Sequence, residues 1–192
     1  MRSAKLDRGT RETRITVVVK LDGSGKSKVK TGVKFLDHML TSLATHSLID
    51  IELKGRGDLQ HHMVEDVALA LGQALSKALG NRTGIRRFGY AIVPMDDALA
   101  LAAIDLVKRR YSSVELQIKR AMVEDAPRED LEHFFTSLAT ALEATVHVKV
   151  MDGRNEHHKF EAAVKALALA LREAVAPDPR RSKKPPTSKG VM

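Results

Sequence analysis

Two short runs carry the residues best suited to chemistry: His61-His62-Met63-Val64-Glu65 and, 96 residues later, His157-His158-Lys159-Phe160-Glu161. Each opens a long apolar-periodic stretch that predicts a helix. On a helix, positions four apart share a face, whereas adjacent residues diverge by about 100°. His61 with Glu65, and His157 with Glu161, can therefore each chelate one ion. His62 and His158 point elsewhere and can reach a second ion. If the two helices meet about a pseudo-twofold axis, each ion takes an i,i+4 pair from one helix and the divergent histidine from the other. Imidazole and carboxylate without sulfur suit manganese, iron, zinc, nickel or cobalt, and disfavour calcium and magnesium. With four protein ligands, a six-coordinate metal keeps open positions for a substrate. Periodicity leaves open whether the two copies meet within one chain or between chains.

The elements that must position these residues are themselves repeated. Leu36-Asp37-His38-Met39-Leu40-Thr41-Ser42-Leu43-Ala44-Thr45 returns 95 residues later as Leu131-Glu132-His133-Phe134-Phe135-Thr136-Ser137-Leu138-Ala139-Thr140. His38 and His133 thereby become natural additions to the ligand set, so six of the eight histidines fall into the pattern. The other two do not: His147 alternates within a strand as a packing or solvent-facing residue, and His46 ends a helix, where a histidine suits the dipole. Helices are predicted over Phe35–Thr45 and Glu65–Leu79, with stops at Gly80-Asn81 and, for the last helix, Pro177. Alternation predicts strands over Thr10–Leu21, Lys26–Thr31, Ile49–Leu53, Phe88–Val93, Ala98–Leu106, Tyr111–Ile118 and Thr145–Val150, with Ile15, Val17 and Val19 on one face. Each half thus reads strands, helix, strand, helix: an α+β architecture with a sheet on a helix pair, over residues 1–84 and 85–176, followed by a basic tail over 177–192.

The 192 residues contain no cysteine, which excludes disulfides and thiolate metal sites. No segment approaches about 20 uninterrupted apolar residues and no secretory apolar core is present, so a soluble cytoplasmic protein without a membrane partner is expected. The net charge of +8 sits almost wholly at the ends. Residues 1–14 hold +3 and residues 177–192 hold +4, and with 4% aromatic residues there is little to stack on bases. Nucleic-acid binding is not expected.

Phe35-Leu36-Asp37-His38-Met39-Leu40, His61-His62-Met63-Val64-Glu65-Asp66, Arg87-Phe88-Gly89, Pro94-Met95-Asp96-Asp97-Ala98-Leu99, Glu132-His133-Phe134-Phe135 and Gly153-Arg154-Asn155-Glu156-His157-His158 together resemble imidazoleglycerol-phosphate dehydratase, from about Arg8 to Gly190. The resemblance implies a duplicated half like the second domain of ribosomal protein S5. It implies loss of water from imidazole glycerol phosphate to give imidazole acetol phosphate, in histidine biosynthesis. It further implies two manganese ions per subunit: one held by His38, His62, His157 and Glu161, the other by His61, Glu65, His133 and His158. The ligands would come from neighbouring subunits of a homo-oligomer of about 24 copies. Such metals would draw charge from the substrate's imidazole ring, because the proton to be removed is not acidic on its own.

By the same resemblance Glu12, Glu65 and Glu161 are the catalytic carboxylates. Substrate is met by Glu12, His38, His46, His61, Glu65, Arg87, Arg109, His157, Lys165, Thr187, Ser188 and Lys189. Read from the residues alone, Glu12 is a solvent-facing strand carboxylate, and Pro185-Pro186-Thr187-Ser188-Lys189-Gly190 is a Pro-rich basic tail; the resemblance makes that tail a closing phosphate loop. Val107-Lys108-Arg109-Arg110-Tyr111 departs from the family's Ser-Gly-Arg-Pro-Tyr turn, so Arg110 is a candidate substitute for Arg109. Met63 stands where Thr is common, and Gln60 replaces a frequent Asp, whose loss could alter histidine orientation. At this length no fused phosphatase domain is expected. Two other readings remain: a dinuclear hydrolase of a small phosphorylated compound, and a cage-forming protein whose metals only join subunits.

Overall fold

In the computed structural model, which describes residues 2–181 and 184–189, both halves of the repeat fold alike. The first half runs β1 (Ser3–Gly9), β2 (Thr13–Lys20), β3 (Ser27–Lys30), α1 (Lys34–Ser47), β4 (Asp50–Gly57) and α2 (Gln60–Leu79). The second runs β5 (Phe88–Met95), β6 (Ala98–Asp105), β7 (Tyr111–Glu115), a small hairpin of β8 (Met122–Val123) and β9 (Ala126–Pro127), α3 (Arg128–Leu142), β10 (Thr145–Asp152) and α4 (Glu156–Val175). The sheets are ordered β1-β2-β4-β3 and β5-β6-β10-β7, the same topology twice. In each, the third strand of the sheet in chain order, β3 or β7, pairs parallel to the strand after the first helix, β4 or β10, and the other pairs are antiparallel.

The alternating strand residues face inward as expected: Ile15, Val17 and Val19 are buried on the side of β2 that packs on α2, in the same core as Leu36, Leu40 and Leu43 of α1. Each sheet covers its own helix pair, and the pairs then meet across the halves, α1 against α4 and α2 against α3. The two sheets are therefore the outer layers of one shared core. The close approaches need glycine. A Cβ on Gly72 of α2 would lie 2.7 Å from the Leu138 carbonyl oxygen of α3, and one on Gly89 of β5 only 2.0 Å from the Ala170 carbonyl oxygen of α4.

Two features differ from the sequence expectation, and a third was not foreseen by it. The strand expected from Thr10 begins at Thr13, and residues 3–9 form β1, whose Ala4 faces the core while Lys5 and Asp7 face out. Charges on the outward positions masked its alternation, so much of the basic N-terminal segment is a sheet edge and not a tail. The strand expected over Tyr111–Ile118 stops at Glu115, where the chain leaves β10 for the β8–β9 hairpin. Arg82 is fully buried in the left-handed conformation, donating to the carbonyls of Leu142 and Glu143 at the end of α3. It satisfies acceptors that a helix C-terminus leaves open. At the junction, Ile85 pairs with Pro177 and Gly84 N–H donates to the Lys184 carbonyl, so the tail folds back beside the start of the second half. Among the described residues, no helix is long and apolar enough to cross a membrane.

Candidate metal centre

Because α1 packs on α4 and α2 on α3, the histidines of each half meet those of the other. His38 of α1 joins His157 and Glu161 of α4; His61 and Glu65 of α2 join His133 of α3. In each trio one ligand atom per residue lies within 4.8 Å of the other two. His157 Nε2 is 3.3 Å from Glu161 Oε2, and His38 Nε2 is 3.7 Å from that same oxygen. His61 and His133 stack with centroids 5.5 Å apart. Both i,i+4 pairs present their donors on one helix face, as α-helical spacing requires.

Sequence reasoning missed the groups that orient these rings. Each of the four motif histidines donates its Nδ1 proton to a carboxylate: His61 to Asp130 (2.6 Å), His62 to Asp58 (2.9 Å), His157 to Glu124 (3.0 Å) and His158 to Asp97 (2.5 Å). A carboxylate on Nδ1 fixes the tautomer that leaves Nε2 as the lone-pair donor. Asp97 was quoted for its motif, but nothing in the spacing of Asp58, Glu124 or Asp130 pointed to a ring nitrogen. The carboxylates feel the imidazoles in turn. Asp97 is held far below the usual carboxylate range by His158 and by the backbone N–H groups of Asn155 and Arg154. The Asp58 hydrogen bond raises His62 above its ordinary value. Burial pushes Glu161 upward, but the Lys165 hydrogen bond and charge, with His38 and His157, leave it below normal.

The residues present fit a divalent transition-metal ion. Each trio offers nitrogen and carboxylate oxygen donors without sulfur. Asp130 is 2% exposed, and its Oδ2, like His133 Nδ1, is buried without a hydrogen-bond partner among the described residues. A buried carboxylate of this kind calls for a nearby positive charge.

The other expected residues are placed more variously. His62 and His158 join neither trio; they sit on Asp58 and Asp97, with Glu12 Oε2 3.7 Å from His62 and Asp96 Oδ2 3.4 Å from His158. Glu12 is exposed, beside His62 and not beside a completed trio. His46, half-buried, is lowered by burial and then by Lys165, with Glu161 opposing. Lys165 Nζ lies 2.9 Å from Glu161 Oε1. Arg87 is buried and committed: Nε and Nη2 donate to Asp105, and Nη1 to the Pro186 carbonyl. It holds the tail, whose Thr187, Ser188 and Lys189 lie at or near the surface; Gly190 lies outside the described residues. Arg110 pairs with Glu143 at 2.9 Å; Arg109 beside it is also exposed and makes no ion pair among the described residues. Gln60 donates to the Asp125 carbonyl, and Asp58 and Asp130 supply the carboxylates that the motif histidines need. Met63 is buried, and His147 lies on the exposed face of β10 against Tyr111.

A profile of the imidazoleglycerol-phosphate dehydratase family matches residues 31–171. A protein of that name from Methanothermobacter thermautotrophicus is 52% identical over 178 residues, covering 91% of each chain. One from Phytophthora nicotianae is 50% identical over 195 residues, but this chain spans only 43% of its length. Among solved structures, the Pyrococcus furiosus enzyme in complex with (S)-C348 superimposes with a TM-score of 0.84 at 40% identity, covering 97% of this chain and all of that one.

Proposed function

The chain belongs to the imidazoleglycerol-phosphate dehydratase family, and from that premise we propose that it removes water from imidazole glycerol phosphate to give imidazole acetol phosphate, using two manganese ions per subunit held between neighbouring subunits of a homo-oligomer of about 24 copies. The observation that carries this reading is the pair of incomplete trios. His38, His157 and Glu161 want a fourth donor, as do His61, Glu65 and His133, while His62 and His158 stand ready on carboxylates but outside both. A second copy would bring His62 to the first trio and His158 to the second.

Bound there, divalent ions would supply the Lewis acidity that draws charge from the substrate's imidazole ring. The chain's own residues do the rest. Asp58, Asp97, Glu124 and Asp130 keep the four motif imidazoles in one tautomer, so their Nε2 atoms need no reorganisation. A proton and a hydroxide leave neighbouring side-chain carbons, and the resulting enol becomes the ketone. Glu12, exposed beside His62, is our candidate for moving that proton, and Glu65 and Glu161 would hold the ions; the nearness of Glu12 to His62 supports this reading. Arg109, Lys165 and the hydroxyls and ammonium of Thr187, Ser188 and Lys189 supply phosphate donors, and Arg87 contributes by fixing the tail through Pro186.

The test is formation of the keto product by the chelator-stripped chain before and after manganese is returned, with His62→Ala and Glu161→Ala alongside. Turnover should need the metal and fall by at least about a thousandfold in both variants. Full activity in the stripped sample sinks the proposal, and release of inorganic phosphate instead of ketone selects the hydrolase.

A further inference from the structure

The duplication makes the two centres look equivalent, but their surroundings are not. Glu65 and Glu161 occupy the same place in the repeat, 96 residues apart; one helical turn onward stands Leu69 in the first copy and Lys165 in the second. Lys165, only 19% exposed by its side chain, holds Glu161 Oε1 at 2.9 Å, with Met95 Sδ as its other neighbour at 3.1 Å. Glu161 therefore offers a cation only Oε2, the oxygen that faces His38 and His157, and its charge is already countered.

Around the other trio the balance is reversed. Glu65 makes no ion pair among the described residues, and no ammonium or guanidinium is paired to Asp130, whose single partner is His61. That centre therefore gathers two carboxylates, one of them 2% exposed, with no lysine or arginine paired to either among the described residues. At the Glu161 centre the carboxylate on the imidazole, Glu124, has a side chain 59% exposed and is screened by water.

We infer that the two centres load in order: the His61–Glu65–His133 trio takes a divalent ion first, and Lys165 is the positioning residue that weakens the His38–His157–Glu161 trio by holding its carboxylate. This rests on the dinuclear reading above. One unit of positive charge a few ångströms from a dication, half-shielded from water, is enough for a separation of at least about tenfold in affinity.

The experiment is a manganese(II) titration of the chelator-stripped full chain, with free ion followed by electron paramagnetic resonance. Two steps are expected, the tight one lost in His61→Ala and the weak one lost in His157→Ala. Lys165→Leu, which copies the first half, should tighten the weak step about tenfold; Leu69→Lys, which copies the second, should weaken the tight step comparably. The reciprocal pair, each checked for an unchanged metal-free melt, keeps a folding defect in either variant from deciding the outcome. Two equal steps that neither exchange moves would overturn the inference while leaving the dinuclear reading standing. No manganese binding by the wild-type chain, or binding that survives both histidine variants, would take down both.

Discussion

Asp130 and Lys165 show how single residues divide labour around a duplicated motif. Asp130, almost without solvent, is tied to the His61 ring, whereas Lys165 is tied to the Glu161 carboxylate. One favours cation binding and the other opposes it, although the ligand trios themselves match. A third residue carries strain instead of charge. Lys108 occupies the left-handed region at φ 55°, at the position where the family resemblance implies glycine. A Cβ in that region costs about 1 kcal/mol. Lys108→Gly should accordingly raise the melting temperature by about 2–4 °C in a calorimetric scan. A melt that stays put or drops would mean that the lysine side chain offsets its own backbone.

At the scale of elements, the two site-bearing helices at the centre of the His38 trio start differently. Asn155 immediately before α4 accepts from the backbone N–H groups of His157 and His158, a local cap legible from its place ahead of the histidine motif. Helix α1 has Val33 at that place, whose side chain can accept nothing. Its first N–H groups are met by Asp125, about 90 residues further along the chain in the β8–β9 turn: Oδ2 accepts from Lys34 and Oδ1 from Phe35. The same turn carries Glu124 to His157 and receives Gln60 of α2, so one hairpin fastens three site helices. Replacing Asp125 with Ala should cost about 1 kcal/mol in urea unfolding. If stability is unchanged, water serves the α1 terminus and the hairpin does not hold it.

For the whole molecule, the crossing of helices between halves explains why each trio mixes both copies of the repeat while leaving two histidines over. A chain that completes its centres with a neighbour's His62 and His158 has its assembly linked to metal. Light scattering on the chelated chain should therefore give a smaller particle than the manganese-loaded one, and His62→Ala should shift the loaded mass toward the chelated value. Equal masses in all three samples would mean that the fourth ligand is not borrowed.

The sequence by itself determined the chemistry: residue types and the 95- and 96-residue offsets named six histidines and two carboxylates, and i,i+4 spacing paired His61 with Glu65 and His157 with Glu161. It also determined the halves, because amphipathic periodicity is a property of neighbours in the chain. Periodicity left open where His38 and His133 belong and only the family resemblance implied it; the tertiary structure gives the reason His38 joins the second copy's pair and His133 the first's, since that follows from which helices pack. It alone brought Asp130 to His61 and Asp125 to α1, contacts made across 69 and about 90 residues. Local pattern reports which face of a helix is apolar; which partner covers that face, and what polar groups arrive with the partner, is settled by the packing of the whole core.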